Sequence, residues 1–207
     1  MPLRSSREQW GSVIKTLHWL IFLAIAGLAS VGWYMKGLPN SPDKIKVYAL
    51  HKSFGLTVFA LVLLRLAWRE LVDRVRPPLP DGMPAWQRFA AHASHVALYL
   101  LMFAIPLSGW LFNSAANFPL RWFGLFGVPS LHGPDPATKA LAGAAHWWLF
   151  WVLAAVLAAH VGAALWHHFG VRDEVLRRMW PGTRARGSIE TRDEPVDRAS
   201  ETKEESQ

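Results

Sequence analysis

Residues 140–171 read ALAGAAHWWLFWVLAAVLAAHVGAALWHHFGV, with no Lys, Arg, Asp or Glu anywhere in the run. A helix of about 20 apolar residues crosses the hydrocarbon core of a bilayer, and few buried helices of soluble proteins need so long a charge-free stretch. A second such run covers residues 89–120. The chain around them has 207 residues, of which 52% are hydrophobic and 18% charged. That charged share lies below the roughly 25% usual for soluble domains. These features point to a membrane-inserted, all-α protein.

Working outward, the sequence predicts four spans, at about residues 13–35, 47–68, 89–112 and 142–166. The first is too long for a cleaved leader, and His18 and Trp19 interrupt its start. The second is the least apolar. Lys52 and Arg65 bound its charge-free centre, and their spacing of 13 residues is about 20 Å of helix. Long basic side chains so placed snorkel to the two interfaces. Pro106 falls inside the third span, tolerable in a membrane where the released carbonyl finds a partner. The loop from Asn113 to Lys139 is rich in aromatics, which suggests a segment lying in the membrane interface. Residues 1–180 are expected to form the membrane domain, and residues 181–207, mixed in charge and poor in apolar side chains, a disordered cytoplasmic tail.

The formal charge of +7 is explained by topology rather than by nucleic acid. The N-terminus, the second loop with its flanks and the C-terminus hold 16 of the 22 Lys and Arg. The other face holds Lys36, Lys44, Lys46, Lys52, Arg121 and Lys139. Both termini are therefore expected in the cytoplasm. The six outer bases make a positive face that would steer an anionic donor. The absence of Cys excludes disulfides, thiolate metal sites, iron–sulfur clusters and covalently attached haem. No phosphate loop, paired-carboxylate site or Ser/His/Asp spacing suggests a hydrolase or kinase.

The informative residues are the 9 His. Ionisable groups within spans are costly and are functional hypotheses by default. His146 and His160 lie 14 residues apart, about 21 Å of rise and about 40° short of whole turns, so both project from one face of the fourth helix. Two stacked b-type haems in a four-helix bundle require an axial His at each of two levels, with a second His facing each. At the outer level His51 is the partner of His146. At the inner level His160 faces either His18 or His95, and spacing alone leaves both open. Gly55, with Ala142 and Gly143, leaves room for a flat macrocycle beside the ligands. Arg65 and Arg69 would neutralise haem propionates, or anchor at the interface as snorkelling cations. His167, one heptad past His160, would hydrogen-bond a quinone carbonyl or a propionate. A haem-free transport or structural protein is the reading left if this His pattern is accidental.

The segments LHWL (17–20), HKSFG (51–55), LLRLAWR (63–69), PLSGW (106–110) and HHF (167–169) resemble the bacterial cytochrome b561 family, within it the superoxide oxidase-like dihaem cytochromes. The resemblance covers about residues 10–180. It implies two haem b groups, one held by His18 and His160 and the other by His51 and His146, and so favours His18 over His95. It further implies exchange of electrons with ubiquinone. Two function classes follow: a superoxide:quinone oxidoreductase, or a pure electron-transfer subunit served by a periplasmic partner protein.

Overall fold

The computed structural model describes residues 2–80 and 82–182. The expected cytoplasmic tail therefore lies, from residue 183 onward, outside the described residues. Four long helices dominate: α1 (Ser12–Gly37), α2 (Pro42–Ala67), α3 (Ala85–Ala115) and α4 (Pro136–Trp166). α2 and α4 each end in a π-helical turn, Trp68–Val72 and His167–Val171, and a short α5 (Val175–Met179) follows. All four long helices are long and apolar enough to span a membrane.

The helices begin and end beyond the apolar runs, for local reasons. Ser41 accepts a hydrogen bond from the Lys44 amide, and Pro42 occupies the first turn of α2. Asp135 accepts from the Thr138 amide, and Pro136 does the same for α4. A side-chain acceptor followed by Pro is a strong helix start, so it fixes both boundaries several residues upstream of the hydrophobic onset. The third loop is consequently shorter than the sequence suggests. It contains a small antiparallel ribbon, β1 (Arg121–Trp122) paired with β2 (Phe126–Gly127). Positive φ at Phe123 and Gly124 makes its turn. The ribbon leans on α2, where the Ser53 hydroxyl accepts from the Phe123 amide (3.0 Å) and Thr57 accepts from the Trp122 indole (3.1 Å). Phe118, Leu125 and Phe126 point outward, in keeping with an interfacial segment.

α1 packs along α2, α3 along α4, and α2 touches α3, while α1 meets α4 through side chains such as Trp33, which stacks near Trp147. The buried core is a mid-bundle layer of Ile21, Val58, Val62, Leu98, Leu101, Met102 and Leu153. Leu153 lies midway in sequence between His146 and His160, and Val58 one heptad past His51. The core is thus an apolar plug separating two histidine levels. Outside it, large apolar side chains such as Leu23, Leu100, Leu141 and Trp148 face outward. That pattern suits lipid rather than water.

Candidate functional site

At one end of the bundle His51 of α2 faces His146 of α4, with ring centres 6.4 Å apart. At the other end His18 of α1 faces His160 of the same α4, again at 6.4 Å. The equality has a chemical meaning. Two imidazole nitrogen–metal bonds of about 2 Å, plus about 1.1 Å from each nitrogen to its ring centre, put two rings about 6.3 Å apart across one metal ion. His95 of α3 also approaches His160, but at 5.1 Å and edge to face. That spacing is too short to admit an ion between the rings. His95 instead donates from Nδ1 to the Ala91 carbonyl (2.6 Å) of its own helix.

Among the described residues no group of three or more His, Cys, Asp or Glu is arranged to hold a bare metal ion. Two imidazoles per level suit a metal that arrives with its own equatorial nitrogens, as haem iron does. A cavity at the His51–His146 level supports this fit. It is lined by both rings, by Gly32 and Trp33 of α1, by Gly55 of α2 and by Pro106 of α3. A Cβ built on Gly55 would meet nothing within 4 Å, so this glycine does border open space as expected. Gly143 does not serve that purpose. A Cβ there would come within 3.1 Å of the Phe112 ring, so Gly143 serves the close packing of α3 on α4.

The surroundings of the rings set their tautomers and orientation. His146 Nδ1 lies 2.9 Å from the Ile105 carbonyl, which can only accept, so Nδ1 carries the proton and Nε2 keeps its lone pair for a metal. The Ser108 hydroxyl donates to the same carbonyl (2.8 Å) and sits 3.2 Å from His146 Nδ1. His51 Nδ1 is buried without a hydrogen-bond partner. Two glycines that sequence reasoning missed press on these rings. A Cβ at Gly32 would sit 3.3 Å from His51 Cε1, and one at Gly109 would sit 3.1 Å from His146 Cε1. Gly109 was visible in the Pro106–Trp110 segment, but nothing in the chain signals that it lies against His146 across the helix pair.

At the His18–His160 end, Arg65 of α2 and Arg69 of the π-helical turn that follows it each have the guanidinium 5.7 Å from the Tyr99 ring. Arg65 Nε is buried without a hydrogen-bond acceptor, whereas Arg69 Nε lies 3.4 Å from the Glu70 carboxylate. His167 donates from Nδ1 to the Asp173 carboxylate at 2.5 Å. The π-helical turn and the left-handed Arg172 (φ 62°) bring the two together. The His132 ring donates from Nδ1 to the adjacent Gly133 carbonyl (2.7 Å). On the opposite face several of the bases expected to steer a donor have polar partners while keeping their charge. Lys46 pairs with Asp43 (2.9 Å), Lys52 donates to Asn113 (3.1 Å), and Arg121 donates to the Gly124 carbonyl (3.0 Å). Lys36 lies 3.5 Å above the Trp147 ring beside the cavity.

Imidazoles paired across a metal-sized gap at two levels of a four-helix membrane bundle are the hallmark of a membrane b-type cytochrome. The comparisons agree. The family model described as prokaryotic cytochrome b561 matches residues 9–182, and the chain belongs to that family. It is 36% identical over 180 residues to cytochrome b561 homolog 2 of Escherichia coli K12, covering 86% of this chain and 95% of that protein. Cytochrome b561 homolog 1 of the same organism is 32% identical over 169 residues, with 80% and 93% covered. A protein of Yersinia pestis named probable superoxide oxidase CybB is 26% identical over 174 residues, with 81% and 93% covered. The chain is accordingly a multi-pass bacterial membrane protein of electron transfer, and its family implies b-type haem.

Proposed function

We propose that this chain carries two haem b groups and passes electrons from a donor on the periplasmic face, superoxide, to the ubiquinone pool. In this reading His51 and His146 would hold the periplasmic-side haem, and His18 and His160 the cytoplasmic-side haem. The observation that carries it is the identical 6.4 Å separation of the two His pairs. The excess of Lys and Arg on one face supports a topology with both termini in the cytoplasm. The membrane domain comprises residues 1–180.

Iron bound by two imidazoles supplies one-electron transfer and leaves no open position for oxygen. The protein does the rest. The Ile105 carbonyl holds His146 in the metal-binding tautomer. The layer of Ile21, Val58, Met102 and Leu153 keeps water from the space between the levels. Arg65 would offer a buried N–H donor, and Arg69 a neighbouring cation, to the propionates of the cytoplasmic-side group. His167, fixed by Asp173, presents its other ring nitrogen to a quinone carbonyl at the cytoplasmic boundary.

The test is direct. The purified protein, given enzymatically generated superoxide and a soluble ubiquinone analogue, should reduce the quinone with no added protein. If it takes electrons only from an added redox protein, the chain is a transfer subunit and the superoxide reading is wrong. Replacing Lys36 and Lys44 with Gln should slow the superoxide reaction and weaken its dependence on salt. An unchanged rate and salt dependence would remove electrostatic steering from the account.

A further inference from the structure

The end of the bundle that carries the N-terminus has a feature that the histidine chemistry does not use. Between the start of α1 and the end of α2 lies a cavity of about 450 Å³, lined by Leu3, Val13, Thr16, Leu17, Leu64 and Trp68. Sites for small molecules typically measure about 300–1,000 Å³. None of the four paired histidines lines it. Thr16 and Leu64 are exposed, so the cavity opens on the flank of the bundle, where lipid would lie.

One wall of the cavity is held in place by a dedicated set of bonds. Leu3 belongs to the segment before α1, which closes on itself. The Ser12 amide donates to the Pro2 carbonyl (3.0 Å), and the Gly11 amide donates to the Ser5 hydroxyl (2.9 Å). A Cβ on Gly11 would collide with the Leu3 carbonyl oxygen, so only glycine admits this fold-back. The loop is then pinned beyond the end of α2. Ser5 donates to the buried Asp73 carboxylate from both its amide (2.8 Å) and its hydroxyl (2.6 Å). Ordering such a strap costs conformational entropy, and an empty apolar space beneath it forfeits dispersion contacts. An apolar occupant restores those contacts.

Two further observations say what kind of molecule fits. The indole N–H of Trp68 is buried without an acceptor, although a buried indole normally finds one. A ligand that carries a carbonyl at the depth of the membrane interface would supply it. The rim is also basic. Arg4 follows Leu3 in the strap, and Arg74 follows Asp73 at its anchor. Both are exposed, and neither has a carboxylate partner among the described residues. Glu8 is the one acid of the strap. Apolar walls, an unused N–H donor and a cationic rim match the three parts of an anionic phospholipid: acyl chain, ester carbonyl and phosphate.

We propose that this cavity is a binding site for an anionic phospholipid. An acyl chain lies against Leu17 and Leu64 beneath Leu3, an ester carbonyl accepts from the Trp68 indole, and Arg4 and Arg74 attract the headgroup. The Ser5–Asp73 bridge keeps the strap closed over the chain. The site is separate from both histidine levels and does not depend on how many haems the protein binds.

The experiment uses the full-length protein, purified and incubated with equal amounts of phosphatidylglycerol, phosphatidylcholine of the same chains, and a ubiquinone analogue. Native mass spectrometry reads what is retained. The wild type should retain phosphatidylglycerol in preference to the other two. Thr16→Phe, which fills the cavity from its exposed side, should lose the lipid and leave the visible spectrum unchanged. Trp68→Phe, which keeps an aromatic ring but removes the N–H, should weaken retention, and it decides the matter if Thr16→Phe does not fold. Asp73→Asn, which loosens the strap, should weaken it too. A base near an anionic headgroup is worth about a five-fold change in binding, so Arg4→Gln with Arg74→Gln should bring the two phospholipids close to parity. The proposal is overturned if the wild type retains no lipid, holds the quinone analogue instead, or shows no preference for phosphatidylglycerol. It is equally overturned if Thr16→Phe and Trp68→Phe both retain lipid as the wild type does.

Discussion

Gly109→Ala adds one methyl group at a point where the structure leaves no room for it. The new Cβ would lie 3.1 Å from His146 Cε1 and 3.2 Å from Nδ1. Carbon atoms in good contact lie about 3.5–4.0 Å apart, so the ring must retreat by about 0.4 Å or more. His146 cannot simply swing away, because its Nδ1–H is tied to the Ile105 carbonyl at 2.9 Å, only four residues before Gly109 on the same helix. Metal-ligand distances tolerate only about 0.2 Å, so the periplasmic-side ligand geometry should break while the His18–His160 level stays intact. Overpacking of this kind costs about 1–3 kcal/mol, and most of the protein should still fold. The assay is haem content by pyridine haemochrome, together with low-temperature electron paramagnetic resonance of the oxidised protein. One of two low-spin signals should shift or disappear and the other persist. Gly27→Ala, at a glycine with nothing within 4 Å of the added Cβ, should change neither. If Gly109→Ala keeps both signals unshifted, or loses both together, His146 is not positioned as described.

Three further outcomes are expected. His18→Ala should lose one haem, whereas His95→Ala should retain both, because only the His18–His160 spacing admits a metal ion; haem stoichiometry of the two variants decides it. Asp173→Asn should leave haem content unchanged but raise the apparent KM for quinone, since the amide orients the His167 ring less firmly than the carboxylate does. Hydrogen bonds from Thr138 hold the Asp135 carboxyl below the ordinary aspartate range. A lowered folded-state pKa means that this stabilisation of α4 is complete above the unfolded value and is lost as pH falls through the folded one. Wild type should therefore lose its thermal-stability advantage over Asp135→Asn below about pH 4. An advantage independent of pH would contradict the capping role.

The fourth helix was legible because two signals coincide there: a charge-free run long enough to span, and two His in helical register. The same logic placed His51 opposite His146, and the structure brings these together. The choice between His18 and His95 was not legible from spacing. It depends on how α1 and α3 rotate about their axes, and rotation is set by packing across the bundle. The helices extend past the apolar runs that hydropathy reads because the Ser41–Pro42 and Asp135–Pro136 caps start them earlier. The ribbon at 121–127 was hidden because strands of two residues have no alternation to read, though Gly124 was available as a turn signal. Gly32 and Gly109 were unreadable as ring supports, since a glycine's neighbour across a bundle leaves no trace in the linear chain. The His167–Asp173 pair likewise depends on a π-helical turn and a left-handed Arg172 that no local pattern announces.

The central claim is that four histidines at two levels hold two haems. The measurement that tests it most directly is the haem-to-protein ratio of the purified chain, read with its reduced-minus-oxidised spectrum. The account predicts two b-type haems per chain, falling to one in His51→Ala. A ratio of one or none in the wild type, or a His51→Ala protein that still holds two, would contradict it.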